Sequence, residues 1–241
     1  MRRSTYRVLA AVVGVACAGI AGATQAASVN TTLDTLVAGG SSASGLTVGD
    51  KHYSDFTFSS SGDAPVAANN VDVSLVSSDG DNHYQLRFTF ARDQLDASAN
   101  QTTDVVIGYK VEVLGTQLIN RVGLAFDSSV TGSQAAASVI ESVRTTDGSD
   151  LVLGDPVSDQ ENLSVFNDGS GGLGDNSSSS LAVNPTRSLQ FEKDILVSSR
   201  PNGGRVIIST VDNTVDQVPE PTSLALVGIA GVGLLLRRRA R

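Results

Sequence analysis

Histidine moves protons most readily near neutral pH, and this chain has two histidines, His52 and His83, each followed by a tyrosine in a strand-like stretch. His83, Asp81 and any of many serines could be written as a Ser-His-Asp nucleophile. A triad is a spatial arrangement, however, and no Gly-x-Ser-x-Gly elbow is present to expose a serine. Hydrolysis is disfavoured, and no residue is assigned a catalytic role. The His-Tyr neighbours read as cross-strand packing pairs instead.

Acidic loops supply the hard oxygen donors that Ca²⁺ takes: Asp79-Gly80-Asp81-Asn82, Asp147-Gly148-Ser149-Asp150 and Asn167-Asp168-Gly169. None has the twelve-residue spacing with a closing glutamate. Gly171-Gly172-Leu173-Gly174-Asp175 starts like a nonapeptide Ca²⁺ repeat but occurs once. Asp and Gly are also what tight turns require, so the turn reading is favoured. Calcium at these loops is the one cofactor left open, and no metal-ligand set is assigned. Cys/His metal spacing, a phosphate-binding loop and a basic-aromatic surface are all missing from the sequence.

The elements that must position such groups read as strands. Val71, Val73 and Leu75 alternate with polar residues, as do Leu86, Phe88 and Phe90. Val105, Ile107, Tyr109, Val111 and Val113 form the longest row. Period two means a half-buried strand. Further candidates are Thr47–Phe58, broken at Gly49-Asp50, and Leu118–Phe126, Val139–Arg144, Leu163–Phe166, Leu189–Phe191, Ile195–Ser198 and Arg205–Val211. Asp168–Ser180, ending in four serines, is too polar to pack and reads as a mobile loop. Short strands separated by Gly/Asn/Asp clusters predict an all-β domain, an antiparallel β-sandwich or jelly roll.

The ends differ from this middle. Arg2, Arg3 and Arg7 precede an apolar, small-residue run and Thr24-Gln25-Ala26, the layout of a secretory signal peptide over residues 1–26. Cleavage after Ala26 is expected, and cleavage after Ala23 also fits. The only cysteine, Cys17, lies in the apolar run and leaves with it. At the other end, Val218-Pro219-Glu220-Pro221 leads into an uncharged segment, then Arg237-Arg238-Arg239-Ala240-Arg241. Thr222 to Leu236 is 15 residues, roughly 22 Å as a helix against a hydrocarbon core of about 30 Å. Snorkelling arginines can cover the shortfall. Arginines hold both ends on the cytoplasmic side. Hydropathy alone would fit a plain tail anchor equally well.

Seven of the 17 basic residues and one of the 25 acidic residues, Glu220, lie in these two ends. The domain between them, residues 27–217, therefore carries a net charge of −14 against −8 for the whole chain. Such a surface repels nucleic acid and anionic lipid. With no tryptophan and three of the chain's four tyrosines, Tyr6 lying in the signal peptide, it offers few of the aromatic platforms on which glycan sites are built.

The Pro-Glu-Pro box, apolar segment and Arg cluster over about residues 217–241 resemble the PEP-CTERM sorting signal of Gram-negative bacteria. The segment Gly49–Phe56 resembles an opening strand common among proteins with that tail. The resemblance implies recognition of Pro219, Glu220 and Pro221 by an exosortase, a membrane-embedded cysteine protease or transpeptidase. It also implies retention by Arg237, Arg238, Arg239 and Arg241. The precursor is expected in the inner membrane, cut by signal peptidase at one end and by exosortase at the other. The product is expected at the cell surface or in the extracellular matrix, where exopolysaccharide is a candidate partner. A carbohydrate-binding module and, further off, a secreted hydrolase are the alternatives.

The box and the arginines should fail differently when changed. Replacing Arg237, Arg238 and Arg239 with Ser removes charges that resist crossing the membrane, so some precursor escapes with its tail intact. Pro219→Ala with Glu220→Ala leaves the precursor inserted and uncut. Cell fractionation with C-terminal mass analysis separates the two; identical patterns would reduce the tail to one undivided anchor.

Overall fold

The computed structural model of the 241-residue chain describes residues 29–39, 45–78, 83–91, 94–152, 159–170 and 175–219. The signal-peptide segment with Ala26, the loop with Asp81, the segment 171–174, and Glu220, Pro221, Arg237, Arg238, Arg239 and Arg241 with the expected membrane helix lie outside the described residues. No described helix is long and apolar enough to cross a membrane.

Period-two alternation builds the described chain almost entirely from strands. In chain order these are β1 (Val29–Thr32), β2 (Leu46–Val48), β3 (Lys51–Gly62), β4 (Val71–Ser78), β5 (His83–Phe90), β6 (Asp96–Ala97) and β7 (Thr102–Val113). There follow β8 (Gln117–Thr131), β9 (Ala135–Thr145), β10 (Gln160–Asn167), β11 (Ser178–Thr186), β12 (Ser188–Ser199) and β13 (Arg205–Pro219). One sheet has the order β1-β4-β5-β13-β8-β11, with β6 on β13, and the other β10-β9-β12-β7-β3-β2. Neighbours pair antiparallel throughout. The two sheets face each other across one apolar core, and the short helix α1 (Leu33–Ala38) adds Leu33 and Leu36 to it.

Val105, Ile107, Tyr109, Val111 and Val113 of β7 all face the core, as their alternation requires. Three strands depart from the sequence reading. The pieces Leu189–Phe191 and Ile195–Ser198 are one strand, β12, because Lys193 stands between them on the buried face. Strand β13 runs on from Val211 through Pro219: its polar Asp212 and Thr214 face outward, while Asn213 is buried. The expected loop Asp168–Ser180 ends early, since Ser178, Ser179 and Ser180 pair with Ala125, Leu124 and Gly123 as an edge strand. Backbone pairing on one edge forms this ladder whatever the side-chain polarity.

A polar cluster joins the sheets inside the core. From the second sheet come Tyr109 on β7, Glu141 on β9 and Lys193 on β12; from the first comes Asn213 on β13. The Tyr109 hydroxyl donates to Asn213 Oδ1 at 2.8 Å, and Asn213 Nδ2 donates to Glu141 Oε1 at 2.8 Å and to the Gly123 carbonyl at 3.0 Å. Lys193 Nζ forms an ion pair with Glu141, both side chains fully buried, and lies 5.6 Å from the Tyr109 ring centre. Burial pushes the Lys193 ammonium well below its ordinary pKa, against the opposing pull of Asp212. Phe191 and Phe56 stack on Tyr109 at 5.1 and 5.7 Å, and Phe88 of the facing sheet lies 5.8 Å away. Apolar rings thus enclose the charges.

Removing one partner leaves a buried charge without compensation, at a cost of about 3–5 kcal/mol. Lys193→Met should therefore lower the free energy of unfolding by about that amount, read by urea denaturation of residues 27–219. Lys193→Met with Glu141→Leu should recover most of the loss. Equal stability of the single and double variants would show that the pair does not act as a unit.

Candidate functional site

The sorting signal emerges from the middle of a sheet. Strand β13 lies between β5 and β8, and its pairing with β5 ends at Asp216↔His83 while that with β8 continues through Gln217↔Ile119, Val218↔Leu118 and Pro219↔Gln117. Both backbone edges are thus occupied to Asp216 and one edge to Pro219. A register shift falls between Asp216 and Gln217, a local irregularity that bends and twists a strand. Gln217 Nε2 then donates to Asp50 Oδ2 at 3.2 Å, tying the strand end to the β2–β3 turn. Asp50 pairs in turn with buried Lys51, whose ammonium lies 4.3 Å from the centre of the Tyr84 ring. In that turn Gly49 has φ +58°, and a Cβ there would stand 2.4 Å from Tyr84 Oη, so the turn takes glycine alone. Of the expected recognition residues, Pro219 is therefore paired within the sandwich, and Glu220 and Pro221 lie outside the described residues.

The other candidates lie apart from this end. His83 Nδ1 lies 2.5 Å from Asp216 Oδ1, a partner 133 positions away on β13, while Asp81 lies outside the described residues. His52 Nδ1 pairs with Thr47 Oγ1 at 2.9 Å. Tyr53 and Tyr84 turn into the core while both histidines turn out. Burial, with lesser contributions from Tyr84 and Asp50, raises the Tyr53 hydroxyl far above its ordinary pKa. Asp147 Oδ1 accepts from the Ser149 hydroxyl at 2.6 Å and from the Ser149 amide at 3.0 Å, which lowers its pKa. Asp168 is lowered in the same way by Ser170, whose amide reaches Asp168 Oδ1 at 2.8 Å. These carboxylates cap their own turns. Among the described residues no group of three or more His, Cys, Asp or Glu side chains is placed to hold a metal.

The two outer sheet faces differ. That of the first sheet is polar, with Arg87 donating to both Asp212 oxygens at 2.7 and 2.8 Å. That of the second carries an apolar patch, Ile140 at 46 %, Phe166 at 38 % and Leu196 at 37 % exposure. Phe166 and Leu196 both lie opposite Ser138 of β9, and Ile140 lies two residues further along that strand. Acidic residues flank the patch. Asp194 pairs opposite Ile140 and Asp104 opposite Leu196. Burial first, then the Asp104 carboxylate and a hydrogen bond to it, raise the Asp194 pKa. The sequence reading missed this patch, although Ile140 and Phe166 each close an apolar doublet inside an alternating strand, Val139-Ile140 and Val165-Phe166, and Leu196 stands in the middle of the run Ile195-Leu196-Val197.

The fold is thus an antiparallel β-sandwich. Residues 217–239 match the PEP-CTERM protein-sorting motif, which implies an extracellular protein sorted by an exosortase. No curated protein matches the chain. Among solved structures it is similar to TmCBM61 in complex with beta-1,4-galactotriose, at 13 % identity over 68 % of this chain and 88 % of that one, with a TM-score of 0.31. The low-affinity xylan-binding module CBM86 from Roseburia intestinalis matches at 12 % identity over 67 % and 96 %, TM-score 0.19. The enzymatically active domain of tailspike protein 4 of bacteriophage CBA120 matches at 14 % over 68 % and 19 %, TM-score 0.24. At these TM-scores the likenesses carry no argument about ligand or activity.

The raised Asp194 pKa has a signed consequence. A carboxyl whose folded pKa exceeds its unfolded value stabilises the fold at pH below the unfolded value, and that contribution is lost as pH rises through the folded one. Asp194→Asn should therefore be more stable than the parent at pH 7, with the advantage shrinking as pH falls through the raised folded pKa and gone below about 3.9. Urea midpoints at the two pH values check it.

Proposed function

We propose that the chain is a non-catalytic component of the cell surface or extracellular matrix, delivered by exosortase processing of a membrane-held precursor. One observation carries the reading: the matched motif begins at the end of the central strand of an otherwise closed sandwich. The sorting tail and the folded cargo are therefore one continuous unit. The histidine-carboxylate pair His83–Asp216 fits this reading as a bond between neighbouring strands on an open sheet face. The test is mass analysis of envelope and medium from producing cells. A product lacking both the first 26 residues and the Arg-rich end is expected; surface material that uniformly retains Arg241 overturns the proposal.

A second reading is contact with exopolysaccharide through the patch of Ile140, Phe166 and Leu196. Apolar patches ringed by polar groups mark interaction sites, and this one is flanked by Asp104, Asp194 and Ser138. Phe166→Ala should then weaken retardation of the protein in gels containing the producer's polysaccharide while leaving its stability unchanged. Unchanged migration of the parent protein in such gels removes this reading.

A further inference from the structure

We propose that the buried polar cluster is a site of self-modification, in which the Lys193 side chain joins that of Asn213 as an amide and ammonia is released. The inference stands apart from how the tail is processed. Such a bond needs an amine, a carboxamide and a carboxyl group that carries protons between them. Lys193 stands directly opposite Glu141 in the β12–β9 pair and forms an ion pair with it. Asn213, from the facing sheet, donates its Nδ2 to the same carboxylate, at 2.8 Å to Oε1 and 3.1 Å to Oε2. The amine and the carboxamide thus meet on one carboxylate, and all three side chains are fully buried.

The surroundings favour a nucleophile over a cation. An ammonium has three hydrogens to donate, yet apart from its contact with Glu141 the Lys193 nitrogen has no hydrogen-bond partner among the described residues. Desolvation lowers its pKa, so a proton passes to Glu141 and leaves a neutral amine. The electrophile is prepared from its other end. The Tyr109 hydroxyl donates to Asn213 Oδ1 at 2.8 Å, which polarises the carbonyl and meets the negative charge that gathers on that oxygen during attack. Burial raises the Tyr109 pKa and keeps the hydroxyl a donor. The Gly123 carbonyl, 3.0 Å from Asn213 Nδ2, fixes the plane of the carboxamide.

Each proton has a place. The Lys193 ammonium gives one to Glu141, and the amine attacks Asn213 Cγ. Glu141 hands that proton to the Asn213 nitrogen as its bond to Cγ breaks, and ammonia leaves. The carboxylate then takes a proton from the attacking nitrogen, which becomes the amide N–H, and Glu141 ends neutral. No oxidant or cofactor enters, and the reaction runs once per chain. The ion pair is the state before this step, and the stability differences expected of Lys193→Met belong to that state.

The bond runs from β12 of the second sheet to β13, the central strand of the first, and ties the two layers covalently. A disulfide is not available for this, since the one cysteine, Cys17, lies in the expected signal peptide.

The test is the intact mass of the folded full chain in detergent micelles, followed by peptide mapping. A mass lower by one ammonia than the sequence between the observed termini is expected, with the peptide that holds Lys193 joined to the one that holds Asn213. Full sequence mass overturns the proposal. So does loss of ammonia without a joined peptide, the sign of Asn213 cyclising on its own backbone, and so does loss of water with Lys193 joined to Glu141. Glu141→Gln keeps the size of the side chain and removes the proton carrier, so it is expected to unfold cooperatively in urea and to keep its full mass. A joined peptide in that variant overturns the role given to Glu141, and the mass of the parent decides the linkage whether or not the variant folds.

Discussion

The pairing of β13 along both of its edges is the constraint on which the architecture rests. Strands β1, β4 and β5 lie to one side of it and β8 and β11 to the other. Removing β13 would leave two separate ribbons over the second sheet, each with a bare edge. Its partners are distant in sequence: Thr89 to His83 on β5 and Thr131 to Gln117 on β8. Closing such long loops costs entropy before any contact repays it. The last strand to emerge is thus the one that converts two half-sheets into a sandwich.

Inside, the Lys193–Glu141 pair ties the second sheet to β13 of the first through Asn213. Desolvating two charges offsets much of their attraction, so the pair is weak evidence of added stability. Its geometry does constrain the stacking. Only one relative placement of the sheets lets Asn213 reach Glu141, the Gly123 carbonyl and the Tyr109 hydroxyl together. A wholly apolar interface would tolerate small slides at less cost, because dispersion contacts are non-directional while hydrogen bonds are not.

Sequence legibility followed the locality of each signal. The row from Val105 to Val113 declared its strand and its buried face, and the fold class followed from repetition of that pattern. Lys193 broke the row of β12 because a lone charge at a core parity reads as an interruption until its partner, 52 positions away on β9, is seen. Ser178–Ser180 were read as a loop because side-chain polarity says nothing of a backbone edge that β8 satisfies. The sorting box was legible since it is linear and contiguous. The His83–Asp216 pair and the Phe166 patch were not, since each is assembled across strands. Apolar doublets such as Val165-Phe166 were the available trace of the patch: within period two, one member of a doublet must face outward.

The direction of β13 has a mechanical meaning. Hydrogen bonds of an antiparallel ladder lie perpendicular to the strands, and the tail continues from the strand's own end. Tension applied through the C-terminus, by a membrane anchor or by a covalent link at the surface, is then directed along β13 and loads its ladders with β5 and β8 in shear. The bonds share the force and yield together, whereas a strand pulled sideways from a sheet edge gives them up one by one. A protein tethered at this end is held by the strand best able to bear a pull.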